Sequence, residues 1–315
     1  NLIALVGAQL FWGAIVLLAG VPYFVGSRFL IYLGTLIAIE AALATSLNLI
    51  VGYAGQFALA HAAFFGFGAY AASILVATYG VNFWLATLIA LALAAVIAAL
   101  IGYPALRYTG GIHFALLTFA FGELARLLAA NWNDMTGGPM GLRVGFSLPP
   151  LAGIDLSSTR AMYGVALSIF VISLVAVAVL IRSRFGRALV AIREDETLAA
   201  FLGINVLGHK LLAFISSAVL AALAGTFYAP FMSFISPELL NAQEVIALIG
   251  ILIVGGVGTL PGPVIGTLIF FGLPEFFHVA RLYRLVSLGV VIVLVVLFMP
   301  KGIAGEARAR FRVKR

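Results

Sequence analysis

Two carboxylates in otherwise apolar surroundings are the residues of this sequence best placed to do chemistry. Glu40 stands in LIYLGTLIAIEAALATSLNLIV and Glu123 in ALLTFAFGELARLLAAN, three residues before Arg126. A carboxyl group at membrane depth is neutral, paired, or beside a wet cavity, and each condition suits a proton relay, an ion pair or contact with a passing solute. Glu123 and Arg126 fall on one helix face at i, i+3, which fits either a structural ion pair near a helix end or a gate. The other ingredients of catalysis are missing from the chain. There is no cysteine, so disulfides, thiolate metal sites and cysteine nucleophiles are excluded together. His61, His113, His209 and His278 stand far apart with no metal-ligand spacing, and no Gly-Lys-Ser/Thr phosphate loop occurs. No catalytic group, cofactor or metal is expected, and if ATP drives this protein another chain must bind it.

The elements that position these groups follow from composition. Hydrophobic residues make up 64% of the 315 and charged residues 9%, with a mean hydropathy of +1.19. Too few polar side chains remain to cover a soluble globule of that size. About ten mostly apolar segments can be marked off, and at ~1.5 Å per residue the longer ones cross a ~30 Å hydrocarbon core. They include 2–24, 29–51, 82–103 (ended by Pro104 and Arg107), 113–132, 162–181, 211–231, 243–254 and 285–299. The expected fold is an all-α integral membrane protein: one polytopic helical bundle over 1–315, of about ten transmembrane helices, some short or broken at glycines. The net charge of +7 reflects basic loops on the cytoplasmic side rather than nucleic-acid binding.

Three strings interrupt the apolar pattern with glycine. The first runs GYAGQFALAHAAFFGFGAY from Gly52 to Tyr70, the second is TGGPMG from Thr136, and the third is GGVGTLPGPVIG from Gly255. Gly52 and Gly55 permit backbone angles that end a helix, and Ala54, Ala58, Ala62 and Gly66 make a ladder of small residues. Gly258, Gly262 and Gly266 recur every four residues, a helix-packing spacing first of all. Non-helical backbone at membrane depth is tolerated only inside protein or beside a cavity. The first string is therefore either a packing seam with a surface turn or a broken helix beside a cavity. On the second reading Asn48, Gly52, Gly55, Gln56, His61, Thr136, Gly137, Gly138, Gly255 and Gly258 join Glu40, Glu123 and Arg126 as candidates to line that cavity, which the resemblance given below implies is a translocation path.

One stretch cannot live in lipid. Arg182 to Lys210 carries Arg182, Arg184, Arg187, Arg193, Glu194, Asp195, Glu196 and Lys210 between two strongly apolar segments, and each such charge costs about 2.5–3.5 kcal/mol at a bilayer centre. Between Gly186 and Gly203 the composition predicts a short amphipathic surface helix.

RFGRALVAIREDETLAAFLGIN resembles the cytoplasmic coupling segment of permease subunits in bacterial ABC importers for branched-chain amino acids. Ala199-Ala200-Phe201-Leu202-Gly203 is only a loose relative of the wider Glu-Ala-Ala…Gly loop of ABC importers, since Glu196 lies three residues before Ala199. The three glycine strings resemble that subfamily's signatures in the same order. The resemblance implies that Arg187, Arg193, Glu194, Asp195, Glu196, Gly203 and Asn205 meet an ATPase. It also implies a second, related permease subunit, two ATPase subunits and an extracytoplasmic binding protein as partners in the inner membrane. Both termini fall in the cytoplasm if the spans number ten, and the loop at Thr136 falls outside. The implied cargo is an apolar amino acid, although relatives take urea or other amino acids. An ion-coupled transporter using Glu40 or Glu123 is the rival reading.

Overall fold

The computed structural model describes residues 27–150 and 158–276, with 153, 155–156, 289, 293–295, 297–299 and 301–306. The expected span 2–24 lies outside these residues, as does much of 285–299. Ten helices are labelled here: α1 (Arg28–Asn48), α2 (His61–Ala77), α3 (Phe83–Tyr108), α4 (Ile112–Asn131), α5 (Thr159–Arg182), α6 (Arg184–Glu194), α7 (Glu196–Phe201), α8 (Val206–Met232), α9 (Ala242–Gly255) and α10 (Gly262–Phe276). Five are long and apolar enough to cross a membrane: α1 with its extension, α3, α4, α5 and α8; α2, α9 and part of α10 are shorter apolar helices. A two-residue ladder, β1 (Leu142–Arg143) against β2 (Phe234–Ile235), adds a small departure from an all-α fold.

Along α3, residue size decides which face turns inward. Ala86, Ala90, Ala94 and Ala98 recur every four residues along α3 and are all fully buried, while Leu88, Val96 and Leu100 are exposed. Lipid is as apolar as leucine, so helices gain little by burying large side chains; small ones let backbones come close. At α8, the mostly buried centre of the bundle, such an approach joins it to α2. A Cβ on Gly68 of α2 would lie 2.2 Å from the Ala222 carbonyl oxygen, and one on Gly225 of α8 only 1.9 Å from that of Phe65. α8 also packs against α1 and α3, and α1 in turn against α5 and α10. Phe64, Phe114, Phe121 and Phe214 fill the remaining space, with Phe64 and Phe114 edge-on to Phe214 at 5.7 and 5.6 Å.

Local chemistry departs from the sequence expectations at four points. α3 continues through Pro104 for one more turn to Tyr108, because a proline this near a C-terminus removes a single hydrogen bond. The surface helix expected between Gly186 and Gly203 is two helices. Asp195 adopts extended angles, its carboxylate accepts from the Leu198 N–H at 2.9 Å, and a new helix starts there. Gly258 lies in the turn between α9 and α10 rather than on a helical ridge with Gly262 and Gly266. Of the small-residue ladder, only Ala62 and Gly66 are helical; Ala54 and Ala58 fall in the break between α1 and α2.

The two ends of the bundle are distinct. Gly102, near the end of α3, packs on Leu211 and Phe214 just after the charged segment. The turn at 109–111 therefore shares that end, and the 133–143 loop, paired to residues just after α8, forms the other.

Candidate functional site

α1 does not stop cleanly. It widens into a π-helical turn, Leu49–Tyr53, and then into non-helical backbone through Ala60. Gly55 closes this turn with φ +67°, a left-handed angle that glycine adopts without penalty. The Gln56 N–H reaches back to the Ile50 carbonyl at 3.0 Å.

Asn48, fully buried, ties this end of α1 to the turn after α9. Its Nδ2 donates to the Thr259 carbonyl at 2.8 Å, and its Oδ1 accepts from the Gly258 N–H at 2.9 Å. The two chains touch so closely that a Cβ on Gly52 would lie 2.2 Å from Asn48 Oδ1 and 2.6 Å from the Gly258 nitrogen. Both glycine breaks, more than two hundred residues apart, thus meet at one junction.

The charged segment reaches the same point. Arg193, in the last turn of α6, donates from Nη1 to the Gly52 carbonyl at 2.7 Å and from Nη2 to Glu194 Oε1 at 2.7 Å. Its stem lies over Gly55, where a Cβ would come within 2.5 Å of Arg193 Cγ. α6 is anchored by buried Leu189 and Ile192, and Ser183 caps its start by accepting from the Phe185 N–H. Lys210, buried in α8, pairs with Glu196 and so ties α7 to the central helix.

The outer face of α6 and α7 is open. Arg187, Glu194, Asp195 and Glu196 are exposed beside Leu198, Phe201 and Leu202, and Phe201 is 85% exposed. Gly203 leaves α7 at φ +82°, and Asn205 caps α8 by accepting from the Gly208 N–H. A mixed apolar and two-sign charged face of this kind suits a protein partner rather than lipid.

The remaining candidates do not converge on the junction. Glu123 and Arg126 form an ion pair of 2.9 Å, half-buried on α4. Thr136 donates within its own turn to the Ala129 and Trp132 carbonyls, with Gly137 and Gly138 at the opposite end of the bundle. Gly255 serves packing: a Cβ there would lie 1.8 Å from the Gly262 carbonyl oxygen. Glu40 lies half-buried in mid-α1 with no hydrogen bond or ion pair among the described residues, close enough to Glu244 for the two carboxyl groups to interact. Glu244, Thr259 and Lys210 are functional candidates that the sequence reading missed. Glu244 carries a sequence signal as an acid in the first turn of an apolar helix, and Lys210 as the last charge of the charged stretch; Thr259 carries none.

Comparison with known proteins assigns the chain to a family. The family model described as the permease component of the branched-chain amino acid transport system matches residues 29–297. The chain is 32% identical, over 97% of its length and 77% of the relative's, to the high-affinity branched-chain amino acid transport system permease protein LivM of Escherichia coli K12. It is 31% identical over the same shares to LivM of Salmonella typhimurium. The permease protein LivH of Escherichia coli K12 is 34% identical over 48% of this chain and 49% of its own. No solved structure matches. An apolar bundle with paired glycine breaks, a charged helical segment docked on them and a family model that covers most of the chain lead to one assignment: this protein belongs to the branched-chain amino acid transport system permease family.

Proposed function

We propose that this chain forms one half of the translocation path of an importer for branched-chain amino acids, in a bundle of about ten spans with both termini in the cytoplasm. A related permease supplies the other half, one of two separate ATPase subunits docks on α6 and α7, and an extracytoplasmic binding protein delivers the solute at the Thr136 end. The names of the relatives support the solute class and the paired permease. The observation that carries the coupling role is the contact of Arg193 with Gly52, which joins the charged helices to both glycine breaks. Movement imposed on α6 reaches the end of α1 and the α9–α10 turn through one guanidinium and one asparagine, an arrangement suited to a two-state rearrangement rather than covalent chemistry.

The absence of cysteine makes the test direct. A Glu194→Cys variant of the assembled importer should cross-link to an engineered cysteine in the ATPase cleft, and a cysteine at Thr136 should not. The reverse pattern would overturn both the orientation and the coupling role. The unpaired Glu40 beside Glu244 favours a second reading, an ion-coupled transporter. Leucine uptake driven by a proton gradient in ATP-free proteoliposomes would support it; uptake that needs ATP at any gradient would dismiss it.

A further inference from the structure

α2 begins inside the bundle. Just before it, the Leu59 N–H donates to Thr118 Oγ1, and Thr118 lies well within the membrane-crossing helix α4. Ala60, His61, Ala62 and Ala63 are all buried. No side chain caps this end, and among the described residues the N–H groups of His61, Ala62 and Ala63 have no acceptor. The first N–H with one is that of Phe64, bonded to the Ala60 carbonyl at 3.1 Å.

A second observation falls on the same residue. The His61 side chain is wholly buried, and neither Nδ1 nor Nε2 has a hydrogen-bond partner. A buried imidazole normally satisfies at least one nitrogen, because an unmet buried polar group is costly. At α2 three backbone donors and an imidazole are left unmet at one buried helix start, where the helix dipole places partial positive charge. The donors and the field suit an anion with two acceptor oxygens.

We propose that the start of α2 with His61 is the subsite that receives the carboxylate of an amino acid in transit. This rests on the permease reading above and narrows it, since urea carries no carboxylate and gains nothing from such a site. The non-helical run from Ala54 to Ala60 leads directly into the subsite; it turns at Gly55 with φ +67°, and its Gln56, Phe57 and Leu59 are not buried. Displacement of that run reaches the subsite. Because Gly55 packs on Arg193, the same movement is tied to α6. The ammonium and side chain of the solute are left to other surfaces.

The test uses the assembled importer in nanodiscs without its binding protein, with leucine and leucinamide as probes. A lost charge-assisted hydrogen bond corresponds to about tenfold in affinity. Leucine should therefore bind about tenfold more tightly than leucinamide; His61→Gln, which keeps a donor and an acceptor, should preserve most of that ratio, and His61→Phe, which leaves only the backbone donors of α2, should lower it. A ratio is insensitive to the fraction of protein correctly folded. Should His61→Phe fail to assemble, wild-type protein labelled with 15N-histidine and given 13C-carboxyl leucine decides. Dipolar coupling between the carboxylate and a His61 nitrogen supports the subsite, and its absence overturns it. Equal binding of the two probes by wild type, or binding of neither, also overturns it. The broader reading has its own readout. If the complete importer moves leucine without that preference, only the subsite falls; if it moves urea and not leucine, the reading beneath it falls too.

Discussion

A methyl group at position 52 is the sharpest perturbation of the junction. In Gly52→Ala the new carbon would meet Asn48 Oδ1 at 2.2 Å, the Gly258 nitrogen at 2.6 Å and the Gly258 Cα at 2.8 Å. Ordinary carbon contacts lie at about 3.5–4.0 Å, so α1 and the α9–α10 turn must separate by roughly 1 Å. Two of the three atoms are backbone, and no rotamer change removes them. Separation stretches both Asn48 hydrogen bonds, worth about 1 kcal/mol each, on top of an overpacking cost of about 1–3 kcal/mol. We expect a loss of about 2–4 kcal/mol, read as a lower midpoint of thermal unfolding for the assembled complex in detergent, with ATP-driven leucine uptake reduced at least tenfold. Asn48→Ala separates the causes. It removes the nearest atom but leaves the Gly258 N–H and Thr259 carbonyl unmet, so the double variant should remain as impaired as Gly52→Ala. Wild-type stability and uptake in Gly52→Ala, or full rescue in the double variant, would refute the close approach.

Three further outcomes are expected. Arg193→Met keeps the apolar stem over Gly55 but removes the donor to Gly52, and should lower leucine moved per ATP hydrolysed about tenfold, as loss of a charged hydrogen bond implies; an unchanged ratio would detach α6 from the path. The Glu123–Arg126 pair is half-buried, so Glu123→Ala should cost about 1 kcal/mol or somewhat more, and replacing both by apolar residues less; equal yields of assembled protein from single and double variants would show that the two do not interact. A Cβ at position 203 meets no atom within 4 Å, so the main cost of Gly203→Val is backbone strain of about 1–2 kcal/mol. That variant should reach the membrane in normal amount, bind ATPase more weakly in co-purification and lose transport.

What the sequence disclosed and what it hid divide along physical lines. Apolar run length revealed the long helices, since a bilayer fixes how many residues a crossing needs. Gly52, Gly55 and Gly258 read as breaks because glycine permits backbone angles that end a helix, although Gly68 and Gly225 sit within helices as packing residues. Their meeting was not legible: Arg193 reaches Gly52 across 141 residues, and no local pattern encodes such a contact. The division of the charged segment at Asp195 was missed because its Ala and Leu content favours helix throughout, and only the aspartate's capping bond stops α6 and starts α7. Glu244 escaped notice because an acid in a first turn is ordinary in helices; its nearness to Glu40 is a matter of packing.

The π turn at the end of α1 makes Gly52 an acceptor over which two donors compete. In an uninterrupted α-helix the Gly52 carbonyl would belong to the N–H of Gln56, four residues on. Here that N–H is bonded to Ile50, and Gly52 accepts from Arg193 instead. If α1 were rewound through residue 56, Gln56 would take the carbonyl, Gly55 would have to give up its left-handed angle, and the guanidinium would be released. Rewinding would give the Gly55 N–H, which has no acceptor among the described residues, a helical partner, and would forfeit the charge-assisted bond from Arg193. The choice between a longer helix and a held arginine therefore sets backbone bonding against one guanidinium, and a load on α6 acts directly on that choice.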